Sequence, residues 1–195
     1  MPEITPVGWV AVGFTLAAYL PYIWAILTRR SEPSRASWFI WVFVTYVIVA
    51  SYWTVGARNT FGVLVIYAVF ATVIALLSIK YGTGGWTRFD KCCFAGALVG
   101  AILWWVSSSP LVAFLSNLAI DCIGTLPTVK KVYRDPKSEP GLAWNLFWIG
   151  AVANIFAVEH WTFVVAIYPI AQVAMISTIA GLVMFRPREQ SINQT

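Results

Sequence analysis

Asp121 is the acidic residue standing well inside an apolar run, in the stretch "AIDCIGTLPTVKK" from Ala119 to Lys131. Asn117 lies four residues before it, and Thr125 and Thr128 lie four and seven after it. At about 100° per residue, all four share one stripe of a helix. A carboxylate on such a stripe can carry a proton or fix a cationic group, while the amide and the hydroxyls bond neutral partners. Lys131 continues the stripe toward the end of the run, where its long chain can snorkel to water.

The depth of Asp121 sharpens the question. At 1.5 Å per residue it sits roughly 13 Å along the helix axis from Lys130, near the midplane of a bilayer. A charged carboxylate there costs at least ~2.5 kcal/mol, so the side chain is expected to face the interior of a bundle. Asn145, Asn154 and Gln172 are further polar side chains in apolar surroundings. Asn145 and Asn154 are nine residues apart and so lie on opposite faces of one helix, where both do not easily line one cavity. Gln172 follows Tyr168 and Pro169 by about one turn. The plainer alternative is that Asp121 and an asparagine form a buried bonded pair that only orders the bundle, contributing about 0.6–2 kcal/mol.

Other reactive residues carry little. Cys92, Cys93 and Cys122 have neither a disulfide framework nor a metal-ligand spacing. His160 adjoins Glu159 in a short connection, where a solvated loop histidine is expected. No nucleophile has a neighbouring base, so no enzymatic activity, metal or cofactor is expected. The last apolar run holds no lysine for a retinal Schiff base.

The elements that position these residues follow from composition. Hydrophobic residues make up 59% of the 195 and charged residues 11%, far below the roughly 25% charged content of a soluble domain. The mean hydropathy is +0.75. Apolar runs at 6–28, 38–57, 60–79, 92–107, 110–133, 141–158 and 161–185 predict an all-α, polytopic membrane protein of seven transmembrane helices. The run at 92–107 is the shortest. Nearly all the Lys and Arg fall on one side of that arrangement, with Arg58 alone on the other, which predicts an amino terminus outside and a carboxyl terminus inside. The net charge of +5 then reports topology, and no nucleic-acid partner is expected. The amino-terminal segment lacks the basic region of a cleaved signal peptide. The short tail without a sorting signal favours a bacterial cytoplasmic membrane.

The sequence also repeats. A shift of 107 lays Ser31-Glu32-Pro33 on Ser138-Glu139-Pro140, Ala36 on Ala143 and Trp41 on Trp148, while a shift of 106 lays Pro21 on Pro127. Each copy reads as a helix with an internal proline, a basic loop, and a helix that is tryptophan-rich at its start. The expected division is a first three-helix repeat at 1–86, an inner loop and linker helix at 87–109, and a second repeat at 110–195 with a short tail. One intervening helix makes the two repeats parallel.

This order of elements resembles the PQ-loop and SWEET superfamily. The Pro-Gln signature itself appears here as Pro21-Tyr22 and Pro127-Thr128. The resemblance implies that Pro21 and Pro127 act as hinges, since proline removes a helical hydrogen bond. A fixed bend is the plainer alternative. It further implies alternating access to a midplane pocket built from tryptophans and asparagines, a type that Trp41 and Trp148 match. The expected function is transport of a small polar metabolite, an amino acid somewhat preferred over a sugar, with proton coupling through Asp121. Thr15 stands at the place of Asp121 in the first copy, which confines ionisable chemistry to the second. The rival expectation is a receptor or scaffold that binds a ligand without moving it. The expected partners are the solute and the lipid bilayer, and an oligomer is compatible with the sequence.

Overall fold

The computed structural model describes residues 5–55, 61–83, 87–107, 110–158 and 161–185. Among these the chain is all-helical, with seven α-helices: α1 (Pro6–Leu27), α2 (Arg35–Val55), α3 (Phe61–Tyr81), α4 (Arg88–Val106), α5 (Pro110–Arg134), α6 (Gly141–Phe156) and α7 (Phe163–Phe185). A single 3-10 turn, Pro136–Ser138, connects α5 to α6.

Local chemistry sets several boundaries. Thr5 caps α1 by accepting from the Gly8 N–H, with Pro6 in the first turn, where a missing N–H costs nothing. Thr87 and Asp90 form a reciprocal capping box that starts α4. This cap carries α4 back to Arg88 and gives it 19 residues. The shortest helix is therefore α6, with 16, and not the 92–107 run. Arg35 ties the start of α2 to the end of α3, donating from Nε to the Ser78 carbonyl at 2.8 Å and from Nη2 to that of Ile79 at 3.1 Å. Helix ends leave such carbonyls without intrahelical donors, and a guanidinium can satisfy two.

The principal helix pairs are α1 with α6, α4 with α5, α2 with α3, α6 with α7, α2 with α5, α1 with α3, and α5 with α7. One core cluster gathers Tyr19, Tyr22, Trp38, Trp144 and Phe147 around α1, α2 and α6. A second joins Ile40, Val44, Cys93 and Ile120 across α2, α4 and α5. Glycine permits two close approaches: a Cβ on Gly150 of α6 would lie 2.8 Å from Thr15 Oγ1 of α1, and one on Gly124 of α5 would lie 2.7 Å from Ile40 Cγ2 of α2.

Apolar side chains also cover the outside, including Leu20, Trp24 and Leu76, each at least 60% exposed. A helix apolar all round belongs in lipid or in the heart of a large protein. Among the described residues three helices, α1, α3 and the Val165–Phe185 part of α7, are long and apolar enough to cross a membrane. Length, composition and outward-facing apolar surface together support a membrane protein.

Candidate functional site

Asp121 is buried in α5, with 3% of its surface exposed. Its Oδ2 accepts from Gln172 Nε2 of α7 at 2.8 Å, and the same amide nitrogen donates to the Tyr168 hydroxyl at 2.7 Å. Tyr168 and Gln172 are four residues apart, so α7 presents both on one face toward α5. The carboxylate thus has a partner from another helix, as a buried charge or buried acid requires.

These three residues line one side of a partly open space of about 70 Å³. Tyr19 of α1, Trp38, Trp41 and Thr45 of α2, Tyr67 of α3, and Trp144 and Phe147 of α6 complete much of its wall. The rings brace one another: Trp38 and Trp41 meet edge to face at 5.0 Å, and Tyr19 meets Phe147 at 4.7 Å. Edge-to-face contact suits the ring quadrupole and locks the rotamers. Thr125 closes the wall beside Asp121, its hydroxyl donating to the Asp121 carbonyl at 3.0 Å and lying 3.2 Å from Met175 Sδ. The result is one carboxylate and one amide in a chamber walled otherwise by aromatic rings, two threonines and aliphatic side chains.

A second polar assembly is attached to the chamber wall at Trp144. Trp144 Nε1 donates to Glu139 Oε2 at 2.9 Å. The other oxygen of Glu139 pairs with Lys131 Nζ, and this Glu139 side chain is fully buried. Lys131 also donates to the backbone carbonyls of Glu32 and Ser138. Ser31 Oγ donates to that same Ser138 carbonyl at 3.1 Å. One ion pair thereby joins the loop after α1 to the loop after α5 and to the chamber wall.

The expected stripe on α5 exists, since Asn117, Asp121, Thr125 and Thr128 are all buried. Only Asp121 and Thr125 of the four reach the chamber wall. Thr128 instead fastens α5 to α2: its Oγ1 and its backbone N–H both contact Ser37 Oγ, at 2.9 and 3.1 Å. This bond lies directly after Pro127, where a neighbouring helix satisfies a backbone group beside the proline. Both prolines, Pro21 and Pro127, lie inside their helices.

Gln172 takes the place beside Asp121 that the sequence offered to an asparagine. Asn154 is buried but stands apart from the chamber, its Oδ1 without a partner among the described residues. Asn145 is partly buried and also outside the wall. Trp148 turns outward, 42% exposed, and donates to Ser177 Oγ at 2.9 Å. It is no chamber residue, whereas Trp41, at the matching place in the first copy, is. Lys131 is held in an ion pair rather than extended to water. His160 lies outside the described residues. Glu139 and the tyrosines Tyr19 and Tyr67 went unread as site residues, although Glu139 is part of the repeated Ser-Glu-Pro.

Among the described residues no cluster of His, Cys, Asp and Glu could hold a metal ion, and the three cysteines are unpaired. No family model matches this chain, and no curated protein or solved structure matches it.

Proposed function

We propose that the chain is a seven-span membrane transporter of the PQ-loop and SWEET type, with its amino terminus outside. It moves a small polar metabolite by alternating access, with Asp121 as the site of a coupled proton or of a cationic solute group. The observation that carries this reading is the Asp121–Gln172 pair, buried in an aromatic chamber to which α1, α2, α3, α5, α6 and α7 all contribute.

Two features support it. Exchanging α1 with α5, α2 with α6 and α3 with α7 maps six of the principal helix pairs onto one another, leaving α4 as the odd helix against α5. A parallel duplication with a linker helix has that pattern. The chamber is also small, about 70 Å³, against roughly 300 Å³ or more for a ligand pocket, so under alternating access it would widen to admit a metabolite. The Lys131–Glu139 pair lies where an inner gate would close.

The test is uptake into proteoliposomes of amino acids and sugars under an inward proton gradient. Saturable uptake of one class is expected, rising as the outside is acidified, with that dependence abolished in Asp121→Asn. Full pH-dependent uptake by Asp121→Asn would sink the coupling role. A ligand that raises the melting temperature by mass action without any flux would sink transport itself and leave a receptor.

A further inference from the structure

A second hollow, of about 490 Å³, lies at the basic end among the loops after α1, α3 and α5. Seven basic side chains line it against three acidic ones. Glu32, Asp90 and Asp135 offset only part of that charge, leaving the hollow with four more cations than anions. Asp90 is turned to the Thr87 N–H at 3.0 Å and Asp135 to the Lys137 N–H at 3.0 Å, each serving a helix start. Two of the cations are likewise engaged, Arg35 on the carbonyls of α3 and Lys131 on Glu139.

Five remain: Arg29, Arg30, Lys130, Arg134 and Lys137, none of which makes an ion pair among the described residues. Two of these are held on aromatic rings, the Arg29 guanidinium 5.1 Å from the Tyr81 centroid and the Lys130 amine 4.0 Å from that of Phe89. Cation–π seats fix a charge without neutralising it. Arg29 holds a left-handed backbone, φ 57°, as the residue that closes α1, with its own N–H on the Ile26 carbonyl and the Arg30 N–H on that of Ala25. A purely topological role asks for positive charge at this end of the molecule and does not ask for convergence. Lys80 and Lys91 belong to the same end and stay outside the hollow.

We propose that this hollow binds a phosphate-bearing anion. Several like charges held around one space repel until a polyanion joins them, and arginine forks match phosphate oxygens in pairs. Its size lies within the range of small-ligand sites. Two sources carry this chemistry, an anionic lipid headgroup at the membrane surface and a soluble phosphate compound. The site is separate from the chamber, so its test does not depend on transport.

The full-length protein in neutral detergent is titrated with sodium pyrophosphate by calorimetry. In parallel, micelles doped with phosphatidylglycerol or with phosphatidylcholine are assayed for bound lipid by native mass spectrometry. Binding of at least one anionic probe near one per chain is expected. It should weaken at least tenfold in Arg29→Gln/Arg134→Gln and be unchanged in Lys80→Gln. Pyrophosphate alone would identify a soluble ligand, phosphatidylglycerol alone a headgroup, and both the phosphate group itself. If the double variant does not fold, Arg30→Gln/Lys137→Gln gives the same reading. Failure of both anionic probes, or equal weakening by Lys80→Gln, would overturn the proposal by showing absent or diffuse binding.

Discussion

At the scale of single residues, two buried polar pairs divide the work, Asp121 with Gln172 and Glu139 with Lys131. Removing the amide in Gln172→Leu strips Asp121 of a donor at 2.8 Å. The Tyr168 hydroxyl still bonds the carboxylate, so the loss is that of one hydrogen bond, about 0.5–1.5 kcal/mol, and the detergent melting temperature should fall modestly. Combined with Asp121→Leu, which leaves the amide no acceptor there, the two changes should be coupled by about 0.5–3 kcal/mol, and additive effects would show that the pair is not the unit. Glu139→Leu leaves the Lys131 amine without its counter-charge and should cost about 3–5 kcal/mol, whereas Lys131→Met/Glu139→Leu should recover much of that. A double variant as unstable as the two losses summed would refute it. Asp121 was legible in the sequence because an acid in an apolar run has few explanations. Gln172 was faint, because its importance depends on α7 facing α5 across 51 residues. Glu139 was hidden, since a loop acid beside basic residues reads as solvated until Trp144 and Lys131 enclose it. Eleven tryptophans gave no way to choose the three on the wall, Trp38, Trp41 and Trp144, from the rest.

Among the helices, close packing and proline relief decide what can move. A side chain at Gly150 meets Thr15 at both its hydroxyl and its backbone nitrogen, 2.8 and 3.1 Å away. Gly150→Ala should therefore push α6 from α1 and cost about 1–3 kcal/mol. Gly13, in the interior of α1, meets nothing within 4 Å, and Gly13→Ala should stabilise by about 0.5–1 kcal/mol through helix propensity. Thermal unfolding of the two variants should shift in opposite directions, and shifts of one sign would contradict the packing described. The seven helices were legible as apolar runs of the right length. Their ends moved where polar chemistry took over, as at the Thr87–Asp90 box that lengthens α4. The partners of each helix were not legible, because a bundle apolar on all faces has no stripe to indicate which face is inside.

Considered whole, the proposed arrangement places both basic loops and the carboxyl terminus on one side. A reporter fused after Thr195 should be active only in the inner compartment, and outer activity would reverse the proposed orientation. The proposed repeat rests on Ser-Glu-Pro and the prolines, and the bond from Ser31 to Ser138 joins two positions that the shift of 107 superposes. The two halves nonetheless differ at their centre, where Thr15 stands opposite Asp121, and Asp121 is the one carboxylate on the chamber wall. Under the proposed coupling that solitary acid sets a thermodynamic ceiling. With one titrating group there is one proton per turnover, and a pH difference of one unit supplies about 1.4 kcal/mol. Without a membrane voltage, a neutral solute could then be concentrated no more than about tenfold per pH unit; accumulation beyond this would require a second ion.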